Sequence, residues 1–168
     1  MIKQILLPLL GVVAFIILIG LFVNNYSSLP GQKQLDHSSA LPRATILVGS
    51  SEIEVEIAKN QTERELGLGG RTYLDPDSGM LFIFEGREMP GFWMKGMLIP
   101  IDIIWIADGK VAEISERISV PALGTPDSEL LSYFPAQPVE FVLEVNSGFS
   151  DRNEIKVGDK VDLANALK

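Results

Sequence analysis

The chain has 168 residues, 46 % of them hydrophobic, with 14 basic and 22 acidic side chains, and carries a net charge of −8 at neutral pH. That length suits one domain with an ordinary core once a long apolar N-terminal run is set aside. The acidic balance argues against nucleic acid or anionic lipid as a partner. The absence of cysteine excludes disulfides, a thiol nucleophile, a thiolate metal site and lipoprotein acylation.

Ile5 to Val23 is uncharged over nineteen positions. At about 1.5 Å per residue it reaches about 28 Å, close to the roughly 30 Å hydrocarbon layer of a bilayer. The reading is a membrane anchor over 5–23. A cleavable signal peptide is the alternative, although its apolar region is usually shorter, about 7–15 residues, and no Ala-x-Ala site follows Val23. Lys3 precedes the run and the next charge is Lys33, so the positive-inside rule predicts a cytoplasmic tip at 1–4. The remainder is then expected on the periplasmic or extracellular side. Without Lys3 that remainder holds 13 basic and 22 acidic residues, a net of −9. Residues 24–42, rich in Ser, Gln, Gly and Pro, read as a flexible tether, and the domain is expected over 43–168.

Within the domain, Ala44 to Val48, a Gly49-Ser50 turn and the alternating Ser51 to Ala58 predict an opening hairpin. Thr62 and Glu65 have capping-box spacing, which predicts a short helix over Glu63 to Leu68 ending at Gly69-Gly70. Met80 to Phe84, Gly91 to Met94, Ile99 to Ala107 and Lys110 to Ile114 read as strands, the last two joined at Asp108-Gly109. Pro121 to Pro138, with four prolines, is expected to be a long surface loop, either a lid over a site or a plug at an open barrel end. Val139 to Val145 is another strand, Ser147 to Asn153 holds one helical turn, and Ile155 to Val161 reads as a closing hairpin about Gly158-Asp159. The predicted fold is mainly β, a compact barrel- or sandwich-like domain of about seven or eight short strands with one or two short helices.

The central residues carry a family pattern: Thr62-Glu63-Arg64, Gly67-Leu68 and Arg71; Gly79 to Phe84; Phe92-Trp93-Met94-Lys95; and Ile99 to Ile103. With Val142 to Gly148 and Gly158-Asp159-x-Val161, the chain resembles, over about residues 44 to 163, the bacterial and archaeal family called domain of unknown function 192. The resemblance implies a small, mostly β, exported or anchored domain and names no activity. Gly96-Met97 stands where relatives typically carry Asn-Thr, and Gly69 where a methionine is usual. If that Asn-Thr pair touches a ligand in relatives, the contact is missing here.

His37, the one histidine, falls in the predicted tether, so the domain has no base for Ser-His or Cys-His chemistry and no imidazole for zinc. Carboxylates, lysine, tyrosine or a hard metal on oxygen remain for an enzyme. Asp102 interrupts an apolar strand, and a charge there must be paired or neutralised. Arg64, Arg71 and Lys95 are the available partners. The two readings are a structural ion pair and a polar pocket centred on Asp102, and Glu144, within another apolar strand, raises the same question. Trp93 and Trp105 are core residues or stacking platforms for a sugar ring. Met89, Met94 and Met97 are core filler, a contact patch or a soft-metal cluster. Asp75 to Gly79 reads as a turn with a partial likeness to a calcium loop.

The candidate ligand-binding set is therefore Arg64, Arg71, Trp93, Lys95, Asp102 and Glu144, with no cofactor and no metal. Three functions fit: a tethered binding or accessory module for a small polar or glycan ligand, a carboxylate-type enzyme acting on an envelope glycan, and a structural partner for a membrane protein through Phe92 to Pro100.

Overall fold

The computed structural model describes residues 41–168, which form one compact unit. The expected tip, anchor and most of the tether, His37 included, lie outside the described residues. Among the described residues no helix is long and apolar enough to cross a membrane.

The domain is mainly β, with nine strands and two short α-helices. Strands β1 (Arg43–Val48) and β2 (Ser51–Ala58) form the opening hairpin, with Gly49 at φ 61° in its two-residue turn. Helix α1 (Gln61–Leu66) then crosses to β3 (Ser78–Glu88), which runs parallel to β2. Next come β4 (Phe92–Trp93), β5 (Ile101–Ala107), β6 (Lys110–Ile118), a 3₁₀ turn at Asp127–Glu129, β7 (Ser132–Tyr133), β8 (Val139–Asn146), α2 (Phe149–Arg152) and β9 (Val161–Asp162). The β5–β6 turn is the expected Asp108-Gly109, both at positive φ as a type I′ turn requires.

Seven strands make one sheet in the order β6-β5-β8-β3-β2-β1-β9, and β4 pairs with β7 in a separate ribbon. The sheet curls until its edges approach. Lys110 of β6 bridges Lys160, while the Val111 N–H donates to the Asp159 carbonyl at 2.9 Å and the Gly158 N–H to the Val111 carbonyl at 2.8 Å. Residues 155–160 are thus a strap closing the curl, and the expected hairpin about Gly158-Asp159 is corrected. Their backbone groups bond to β6, and β9 bonds to β1.

Two further expectations shift. The capping box is Asn60 with Glu63, which moves the helix two residues earlier than the Thr62-Glu65 spacing suggested: the Asn60 side chain accepts the Glu63 N–H at 2.9 Å, and Glu63 accepts the Asn60 N–H at 3.1 Å. The proline-rich segment Pro121 to Pro138 is a loop over most of its length, but Ser132–Tyr133 pairs with β4.

Both faces of the central strands are covered, which explains why every residue of β5 is buried, Asp102 included. The concave face packs Ile46, Val55, Leu81, Ile104, Leu143 and Val145 inside the curl. The convex face packs Met80, Phe82, Ile103, Trp105 and Val142 against Leu68, Leu74, Met94 and Met97 from the connecting segments. Neighbouring strands β3 and β8 come very close at Gly79, where a Cβ would lie 2.6 Å from the Glu144 carbonyl oxygen and 3.1 Å from Val145 Cγ1. Gly79→Ala is expected to push β8 outward and cost about 1–3 kcal/mol, read as a lower urea midpoint with an unchanged slope.

Candidate functional site

Register across the sheet decides which polar side chains meet. Glu56 of β2 stands opposite Met80 of β3, Met80 opposite Glu144 of β8, and Glu144 opposite Ile103 of β5, so Glu56 and Glu144 share the convex face. Asp102 is one step along β5, opposite Val145, and points into the curl. The two buried carboxyl groups therefore lie on opposite faces of one sheet.

Asp102, 0 % exposed, is a structural residue of a kind neither sequence reading described. It has no salt bridge with Arg64, Arg71 or Lys95. Its Oδ1 accepts the N–H groups of Arg117 at 2.8 Å and Gly148 at 2.9 Å, and its Oδ2 accepts the Ser150 N–H at 3.0 Å. These donors sit where the backbone leaves regular pairing: Arg117 at φ 52° near the end of β6, and Gly148 and Ser150 at the start of α2. Asp102 supplies the acceptors that these N–H groups, outside the regular strand pairing, need. The expectation of a ligand pocket centred on Asp102 is corrected accordingly.

Glu144 is in the opposite condition. Its residue is 5 % exposed, its Oε2 is buried, and that oxygen has no hydrogen-bond partner among the described residues. Burial pushes its carboxyl up to about 8, against the smaller opposing pull of the Arg71 charge. The side chain forms part of the wall of an open cavity of about 260 Å³, between α1, the segment Gly67–Gly69, β3 and β4. Its apolar lining includes Phe82, Phe84, Phe92, Trp93, Leu66 and Met97. Phe92 is fixed edge-on against Phe82 at 4.8 Å and against Trp105 at 5.6 Å between ring centroids. Trp93 is 48 % exposed, with the Lys95 ammonium 5.2 Å from its ring centroid. Lys95 also pairs with Asp127 at 2.6 Å, which ties the proline-rich loop to the cavity wall.

Arg64, on α1, directs Nη1 to the carbonyls of Lys59 at 2.5 Å and Ile83 at 3.2 Å, and its guanidinium lies 5.2 Å from the Phe84 ring centroid. Of the expected set, Arg64, Trp93, Lys95 and Glu144 thus line one cavity. Arg71 stands apart from that lining. It grips Glu56 bidentately, Nη1 to Oε1 at 2.9 Å and Nη2 to Oε2 at 2.5 Å, and this grip holds the Glu56 carboxyl below the usual range. Sequence reasoning missed Phe82, Phe84, Phe92 and Met97 as wall residues. The alternation of Met80, Phe82 and Phe84 put them on one face, but only the pairing with β8 puts Glu144 there too.

The remaining candidates resolve simply. Trp105 is core, with its indole N–H donating to Ser115 Oγ at 3.0 Å. Met94 and Met97 are buried and Met89 is exposed. Asp75 to Ser78 is a turn closed by the Ser78 N–H to the Asp75 carbonyl at 3.0 Å, Ser78 and Gly79 already belong to β3, and the Leu74 and Asp75 carbonyls accept the Asn146 amide at 3.2 and 2.8 Å. Among the described residues no group of three His, Cys, Asp or Glu side chains is placed to hold a metal ion.

Comparison with known proteins agrees with this architecture. The family model for domain of unknown function 192, described as an uncharacterized ACR, matches residues 44–163. Two solved structures are similar. A protein of unknown function from Novosphingobium aromaticivorans DSM 12444 is 30 % identical, with a TM-score of 0.67 over 75 % of this chain and 89 % of that one. A protein from Sinorhizobium meliloti 1021, described as a candidate transcription regulator, is 29 % identical, with a TM-score of 0.64 over 73 % of this chain and 95 % of that one. The search of curated proteins returns no match.

Proposed function

Because the chain belongs to the domain of unknown function 192 family, whose name assigns no activity, we propose a function from the pocket: the domain is a binding module for a small ring-bearing molecule. The carrying observation is Glu144, a buried side chain that forms part of the wall of an open cavity lined by aromatic side chains and whose Oε2 has no hydrogen-bond partner among the described residues. An unsatisfied buried oxygen costs about 1–3 kcal/mol, which a ligand hydroxyl or amide bonded to it would recover. Apolar walls with a few convergent polar groups are the usual make-up of a small-molecule site.

The uncharged run Ile5 to Val23 supports tethering this module at the outer face of the cytoplasmic membrane. Membrane fractionation with protease accessibility of the domain tests that placement. A nucleic-acid role, as the description of the Sinorhizobium protein suggests for that protein, is not extended to this chain, since a net charge of −8 opposes a phosphate backbone.

A carboxylate-type enzyme is the second reading, favoured by a side chain that carries a proton at neutral pH. It would rely on Glu144 as a lone acid, because Asp102 points to the other face. Against a panel of hydroxylated ring compounds, the indole N–H resonance of Trp93 is expected to move while that of buried Trp105 stays fixed. Glu144→Leu should abolish the shift without unfolding. Shifts that survive in Glu144→Leu would place binding elsewhere and sink the proposal, and turnover of any panel member would favour the enzyme.

A further inference from the structure

The charged groups on the cavity wall are unequal in what already satisfies them. Glu65 accepts the Gln61 amide at 2.7 Å, and Lys95 is paired with Asp127. Among the described residues Arg64 has no salt bridge, and only its Nη1 donates, so Nε and Nη2 have no acceptor there. Its guanidinium is held in place by two carbonyls and the face of Phe84, so its donors are oriented before any ligand arrives. Glu144 in its neutral form offers a hydroxyl donor and a carbonyl acceptor and does not repel an anion. A cationic ligand would meet Arg64 and Lys95 in the same wall.

Resting on the pocket reading above, we propose that the ligand is a small hydroxylated ring acid: its carboxylate takes the spare Arg64 donors, its ring packs among Phe84, Phe92 and Trp93, and a hydroxyl reaches Glu144. The cavity of about 260 Å³ suits one six-membered ring with its substituents.

Three probes share a phenol ring and differ chiefly in the charge of the group at the other end, which sits one carbon farther out in the last: 4-hydroxybenzoate, 4-hydroxybenzyl alcohol and tyramine. Calorimetric titration of the full chain in detergent, with the Trp93 resonance as the site marker, should give the benzoate an affinity 10–100-fold above the alcohol, the range of a charge-assisted hydrogen bond. Tyramine should bind more weakly than either. Arg64→Met should weaken the benzoate far more than the alcohol and so close the gap between them, with Arg64→Lys between. Glucuronate against glucose repeats the comparison on a sugar ring and tells a saccharide acid from a flat one. Should Arg64→Met fail to fold, the charge series on the wild type still decides. Equal binding of the benzoate and the alcohol, or preference for tyramine, overturns the ring-acid inference and leaves the pocket reading standing. No binding of any ring at millimolar concentration overturns both.

Discussion

Asp102→Asn is expected to lower the thermal midpoint of the domain by roughly 10–20 °C without altering the pocket in the molecules that remain folded. The buried carboxylate accepts three backbone N–H groups, the part-buried ones of Arg117 and Gly148 and the buried one of Ser150. An asparagine amide offers one acceptor oxygen and turns an NH₂ toward at least one of those donors. That mismatch costs about 2–5 kcal/mol, the range for breaking a buried charge-assisted set. For a domain of this size each kcal/mol moves the midpoint by roughly 3–5 °C. Calorimetry checks the size of the loss, and the Trp93 indole resonance at low temperature checks the pocket. A midpoint within about 2 °C of wild type would mean that Asp102 does not organise the end of β6 at Arg117 and the start of α2.

Glu144 predicts the opposite behaviour, and through pH. Its carboxyl is raised from 4.5 to about 8, so between those values the folded protein holds a proton that the unfolded chain has released. Stability contributed this way is complete below about 4.5 and is lost as pH rises through about 8. The full loss is on the order of 4 kcal/mol. Glu144→Gln removes the titration while keeping the shape. Urea unfolding of the two proteins should give near-equal stability at pH 5 and a variant several kcal/mol more stable at pH 9, and the difference between them cancels other groups such as Glu56. Parallel pH profiles would show that Glu144 is solvated and ionised like an ordinary glutamate.

Much of the domain is legible in its sequence, for identifiable reasons. The Glu52, Glu54, Glu56 alternation and the Gly49-Ser50 and Asp108-Gly109 turns obey local rules, and the strands they bound are where those rules put them. The strap at residues 155–160 was misread because a turn signal says where the chain bends and not what its backbone then bonds to. Asp102 stood out correctly as a buried charge, but sequence offers only side chains as partners, and its actual partners are backbone N–H groups at irregular positions. Glu144 and Asp102 look alike along the chain. Their separation to opposite faces depends on the register of β5 against β8, a long-range property.

The departures from the family pattern also gain a physical setting. Gly96 has φ 68°, a left-handed conformation that asparagine tolerates better than most residues, so the Asn typical of relatives suits the same backbone. Met97 is buried and lines the cavity, where a threonine would add a hydroxyl to the wall.

An uncharged Glu144 at neutral pH, without a hydrogen-bond partner among the described residues, is tested by the ¹³C shift of its carboxyl carbon against pH, with Glu144→Gln assigning the signal. The prediction is a single step near pH 8 in the free protein, displaced when 4-hydroxybenzoate is bound. A step in the ordinary glutamate range, near 4.5, would contradict it and leave the cavity without its polar anchor.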